Sequence, residues 1–251
     1  MIKRIIIWVV IVICFLIVAA YLAINLFIPE HDYRSPGNFG SYPNSGMYTF
    51  NPETIFDSLE QEKTDVFTPY FGNPDEIKLY YDPITWSQSD YLKFASALSH
   101  KVWGESLSSK NWSVASVFFE QDCKNPNGFN GFHIVYYKDL GITGWKRNYT
   151  TRLIDAQPWR GLAYWGGDAI FSSTLVSRWR NIGLENFAIS ADDALQITEE
   201  HGGNQTDKSH CSTISVSMFH HDNEKWDVNY FAASFGVYIN ANSGKYDILN
   251  K

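Results

Sequence analysis

The chain has 251 residues, 45% hydrophobic, 16% aromatic and 19% charged, a balance that excludes a disordered acidic tail or a low-complexity polymer. Lys and Arg total 20 against 27 Asp and Glu, a formal charge of −7. No basic cluster able to neutralise phosphates is present, which excludes a general nucleic-acid binder.

From Ile5 to Ile28 the chain runs 24 residues without a charge, interrupted only by Asn25. At about 1.5 Å rise per residue such a run can cross a hydrocarbon core of about 30 Å. Lys3 and Arg4 precede it, and Glu30, His31 and Asp32 follow, so the positive-inside bias puts the N-terminus in the cytoplasm. The expectation is an uncleaved transmembrane signal anchor over 1–28 and a single-pass protein of the cell membrane, with the rest extracytoplasmic. A cleaved signal peptide, with Val18-Ala19-Ala20 as its cleavage site, is the competing reading. Without Lys3 and Arg4 the outer part carries 18 basic and 27 acidic residues, or −9, which argues against adhesion to anionic lipid through a basic patch.

Residues 29–48 hold Pro36, Pro43, Gly37, Gly40 and Gly46 among polar residues and read as a flexible tether. Asn51-Pro52-Glu53 has the composition of a helix start and predicts a short helix to about Glu62. A strand follows at Glu76 to Tyr81. Ser87 with Asp90 resembles a capping box and opens a helix to about Trp103, whose Tyr91, Phe94, Ala95, Leu98 and Val102 share one face. Strands are predicted at Trp112–Gln121, Phe132–Tyr137 and Tyr149–Ala156.

The same order recurs 103 positions later, where Ser190 and Asp193 repeat the cap before a helix that ends at His201-Gly202-Gly203. Strand candidates Ser212–His221, Trp226–Ala232 and Phe235–Ala241 follow. Ile214, Val216 and Met218 alternate with Ser215 and Ser217, the period of a sheet with one buried face. The predicted class is α+β: an N-terminal transmembrane helix, then two units over 49–180 and 181–251, each a helix on its own antiparallel sheet of about three strands.

In the C-terminal unit Ala194, Ile197, Gly202 and Gly203, then Trp226, Val228 and Tyr230, then Ile239, Asn240, Ala241, Ser243, Gly244 and Lys245 form a pattern that resembles a PepSY-like domain; Asn240 stands where such domains usually carry Asp. It covers about 60 residues and implies a member of an uncharacterised bacterial single-pass family. Such domains inhibit or bind, so the resemblance implies binding more than catalysis.

Cys123 and Cys211 are the only cysteines beyond the apolar run and are a disulfide candidate in an oxidising compartment; two unrelated thiols are the alternative. His201, His210, His220 and His221 suggest a metal, but adjacent residues of a strand point to opposite faces, so no metal site and no cofactor are expected. Hydrolase motifs are missing, although a carboxylate or His site meeting only in three dimensions stays open. Trp159, Arg160, Tyr164 and Trp165 lie in the densest aromatic cluster. They read as a ligand platform or as a core-closing linker between units. The functional expectation is a binding or regulatory protein that recognises a peptide, protein or envelope ligand non-covalently. A cell-envelope hydrolase is the alternative.

Overall fold

Ser87 and Ser190 each start a helix by the same exchange of hydrogen bonds. The computed structural model describes residues 2–27, 42–61, 65–77, 84–107, 111–124, 128–144, 146–174, 179–206, 209, 211–219 and 224–250. In chain order its elements are α1 Ile2–Phe27, β1 Asn44–Thr49, α2 Ile55–Glu60, β2 Thr68–Tyr70, α3 Gln88–Trp103, β3 Ser113–Asp122, β4 Gly131–Thr143, β5 Lys146–Gln157, β6 Leu162–Thr174, α4 Ala191–Glu200, β7 Thr213–Phe219, β8 Lys225–Tyr230, β9 Phe235–Asn240 and β10 Tyr246–Asn250. Ahead of α3, Ser87 Oγ accepts from the Asp90 N–H at 3.3 Å and the Asp90 carboxylate accepts from the Ser87 N–H at 3.0 Å. Ahead of α4, Ser190 and Asp193 make the same two bonds at 3.1 and 2.9 Å. Each exchange satisfies N–H groups that have no partner inside the helix.

All ten strands form one antiparallel sheet in the order β10-β9-β8-β7-β3-β4-β5-β6-β1-β2. The second run of helix and strands therefore joins the first edge to edge, where β3 pairs with β7 from Ser116↔Phe219 to Asp122↔Thr213. Strict alternation sorts side chains between the two faces. One row reads Tyr48, Ala163, Ala156, Phe132, Phe119, Val216, Val228, Val237 and Ile248 from β1 to β10. It is apolar throughout, and its members from Ala163 to Val237 lie in the core that α3 and α4 share, with Tyr91, Phe94 and Leu98 from one helix and Ala191, Ala194 and Leu195 from the other. On the opposite face, part of the sheet is covered by Tyr42 and Trp179. The Trp179 indole lies flat on Tyr149, centroids 4.5 Å apart, and Tyr137 Oη donates to Trp179 O at 3.0 Å.

The first turns of α3 and α4 meet. The Gln88 N–H donates to Asp192 Oδ2 at 2.8 Å, and the Ala191 N–H donates to Gln88 Oε1 at 2.6 Å. Cys123 and Cys211 are bonded, with Cα atoms 5.9 Å apart and both side chains buried. They follow β3 and precede β7, so the disulfide fastens the seam between the two runs.

The structure corrects several expectations. The two units do not carry separate sheets: the pairing of β3 with β7 merges them, and the result is dominated by the ten-stranded sheet, with four α-helices among the described residues. The proposed α+β pair of helix-on-sheet units is therefore replaced by one mainly β layer. The reading of 1–28 as a transmembrane signal anchor is also corrected. The apolar run forms a helix of 26 residues, yet among the described residues no helix is long and apolar enough to cross a membrane. The tether expected over 29–48 already contains most of β1, and the helix expected from Asn51 shortens to Ile55–Glu60 behind a turn. Where a strand was expected to start, Pro74–Glu76 is a 3₁₀ turn; residues 78–83 lie outside the described residues.

Two outcomes test this account. Replacing Cys123 and Cys211 together by serine should lower stability by about 2–4 kcal/mol, seen as an earlier unfolding midpoint with native sheet dichroism before the transition. Burial, opposed by backbone N–H bonds, holds the Asp192 carboxyl above its ordinary range. A carboxyl raised in the folded state contributes fully below its unfolded value of about 4, and the contribution is lost as pH rises through the folded value. Asp192→Asn keeps an acceptor for Gln88 and never ionises. Its melting temperature should equal the wild type's near pH 4 and exceed it near pH 7; identical values at both would contradict the buried charge.

Candidate functional site

The last two strands at one edge do not match in length. β2 covers only Met47, Tyr48 and Thr49 of β1, through Tyr70, Pro69 and Thr68. Asn44, Ser45 and Gly46 pair with Gly167, Gly166 and Trp165 on the inner side and have no strand on the outer side among the described residues. A cavity of about 560 Å³ opens at this step, lined by Ser45–Tyr48, Pro69–Phe71, Tyr164 and Trp165. Tyr164 and Trp165 are consecutive residues of β6 and point to opposite faces, so the cavity wraps around the sheet edge. Phe71, just past β2, is 94% exposed.

The indole of Trp165 is held from behind. Trp103, at the end of α3, meets it edge-on with centroids 5.9 Å apart. Arg152 lies over both Trp103 and Trp112, at 4.9 and 4.4 Å, and its Nη1 is 2.5 Å from Glu105 Oε1. That hydrogen bond, more than any other influence, pulls the Glu105 carboxyl below its usual range. Arg152 fits here because the β5–β6 register slips between Thr151 and Leu153. The slip puts Asp168 in the left-handed region, φ 62°, and its carboxylate accepts from Asn44 Nδ2 at 2.9 Å. One bulge thus positions the arginine behind Trp165 and the start of β1. In front, a Cβ on Gly46 would come within 2.8 Å of Trp165 Nε1, so glycine gives the ring its place.

The sequence platform divides. Tyr164 and Trp165 line the cavity; Trp159 and Arg160 lie on the 3₁₀ turn Pro158–Arg160 that connects β5 to β6. Arg160 Nη2 donates to Pro74 O, and the guanidinium is 3.7 Å from Asp75 Oδ1. Arg160 thus ties down the segment after β2 and still lies close enough to lower the Tyr164 hydroxyl pKa, although burial raises it overall. The reading of this cluster as a linker between units is corrected: it is a hairpin turn and a central strand of the first run. Sequence reasoning missed Gly46, Met47, Tyr48, Pro69, Tyr70 and Phe71. Their one signal was the aromatic pair Tyr48 and Phe50 in a stretch otherwise coloured by Gly, Asn and Ser.

The ionisable groups that approach an enzyme-like arrangement lie elsewhere. On the face away from the helices, His133 Nδ1 is 3.5 Å from Asp155 Oδ2, and burial together with Asp155 raises the nearby Glu120 carboxyl. Neither described cavity contains these residues; the second, of about 360 Å³, is lined by Arg180, Asn181, Ile182, Phe187, Met218, Phe219 and Glu224. No group of three His, Cys, Asp or Glu suited to a metal occurs among the described residues, while His210, His220 and His221 lie outside them.

Gly46→Ala should push the Trp165 ring off Trp103, changing the near-ultraviolet dichroism and lowering stability by about 1–3 kcal/mol, whereas Ser45→Ala should leave both nearly unchanged. Comparison with protein-family models, curated proteins and solved structures finds no match to this chain, and its function has to be read from the site.

Proposed function

We propose that this chain is a non-covalent binding or regulatory protein that takes up a short extended peptide, or a protein segment of that shape, at the open stretch of β1. The observation that carries the reading is the step at the edge: three residues of β1 with no strand on their outer side among the described residues, next to a cavity whose lining is dominated by Met47, Tyr48, Pro69, Tyr70, Phe71, Tyr164 and Trp165. Main-chain hydrogen bonds to a free strand supply affinity, and side-chain pockets beside it supply selectivity. Rigid aromatic rings add contact area with little loss of side-chain entropy. The lining has no carboxylate pair, imidazole or thiol poised for acid-base or nucleophilic work, which favours binding over the envelope hydrolase.

The place of action is proposed to be extracytoplasmic. The buried Cys123–Cys211 disulfide supports this, because such bonds persist in oxidising compartments. The C-terminal run is proposed to be PepSY-like; its helix followed by antiparallel strands and its buried Trp226, Val228 and Tyr230 are consistent with a binding module.

The test is selection of short peptides on the full-length chain, followed by equilibrium titration. Trp165→Ala should weaken a selected peptide by at least about tenfold, the scale of a central aromatic contact, and leave the disulfide formed. If selection returns no peptide above an unrelated control, or if Trp165→Ala binds as well as wild type, the edge is not the site. Acid-trapping of thiols in cells should find Cys123 and Cys211 oxidised; free thiols there would contradict the compartment.

A further inference from the structure

The opposite end of the sheet finishes differently. β10 pairs only with β9, and its outer side has no strand among the described residues. No proline or bulge interrupts its sequence, Tyr246-Asp247-Ile248-Leu249-Asn250, whereas the far edge is blunted by a strand of three residues containing Pro69. Unprotected edges of this kind template pairing with another chain.

Which groups face outward follows from the turn before β10. The Asn240 N–H donates to Lys245 O at 2.8 Å, so Lys245 and Asn240 are a hydrogen-bonded pair. Such pairs alternate with non-bonded ones along an antiparallel ladder. Asp247 and Leu249 therefore direct their backbone groups to β9, while Tyr246, Ile248 and Asn250 direct theirs to the open side.

We infer that β10 pairs antiparallel with β10 of a second copy of this chain, with Ile248 on the two-fold axis. This register sets Ile248 against Ile248 of the second copy and Tyr246 against its Asn250, so every outward-facing residue of the strand gains a partner. Asp247 lies opposite Leu249 of the second copy. Centring the axis one residue earlier would face Asp247 with its own copy, and like charges directly opposed are destabilising. The apolar layer supports the same choice. The row of nine residues that starts at Tyr48 ends at Ile248, which is 44% exposed although its neighbour Val237 is fully buried. A two-fold at Ile248 continues that row into the next molecule and removes the exposed end. The inference does not depend on ligand binding, since the peptide edge is at the other end of the sheet.

The experiment uses the full chain with Cys14→Ser, so that the native disulfide is the only other sulfur pair. Ile248→Cys in a glutathione buffer should form a disulfide-linked dimer, because hydrogen-bonded partners have Cα atoms about 5.5 Å apart, within disulfide range. It should form several-fold faster than with Cys at exposed Asn242. Faster cross-linking of Asp247→Cys than of Ile248→Cys would overturn the register, and rates no greater than the Asn242 control at both positions would overturn the dimer. Ile248→Lys, at a side chain 44% exposed in the monomer, should halve the mass seen by light scattering; an unchanged mass would also overturn the inference.

Discussion

Everything else in the architecture depends on the pairing of β3 with β7. Without it the chain has a six-stranded sheet and a four-stranded one, with β3 and β7 as open edges. With it, Phe119 and Val216 become neighbours, α3 and α4 share one core, and the helix starts come close enough to exchange Gln88 and Asp192. The disulfide locks this pairing without creating it, since the seven paired residues already define the register.

The seam also distributes the surface. Joining the runs by the strand that follows each capped helix places β2 and β10 at the two extremes. At one extreme the sheet continues beyond β6 through β1 and β2, and the mismatch in their lengths leaves the aromatic step. At the other it stops at β10. The proposed binding surface and the proposed pairing surface are therefore both products of strand order, and both are edges.

Much of the local structure was legible because its signals are local. Ser87 with Asp90 and Ser190 with Asp193 mark both helix starts, and the alternation of Ile214, Val216 and Met218 marks a strand whose faces differ. β6 was hidden for a physical reason: Leu162 and Ala163 are both buried, so alternation vanishes at its start, and the bulge at Asp168 then shifts its phase. β1 was hidden by Asn, Ser and Gly, residues common in loops, where Gly46 is required by the Trp165 ring. No local pattern announces that β3 will pair with β7. In the site, Trp165 stood out by type, but the residues that complete it lie about a hundred positions away and meet it only through the sheet.

The seam has a consequence for the order of events during synthesis. Cys123 leaves the ribosome long before Cys211, 88 residues later in sequence, and β1 waits still longer for β6, since Thr49 pairs with Leu162. Pairings of such long range fold slowly and expose apolar edges meanwhile. The nascent first run carries an unpaired β3 edge and a free thiol at the same end. The partner that arrives last is thus also the one that ends the risk of mispairing.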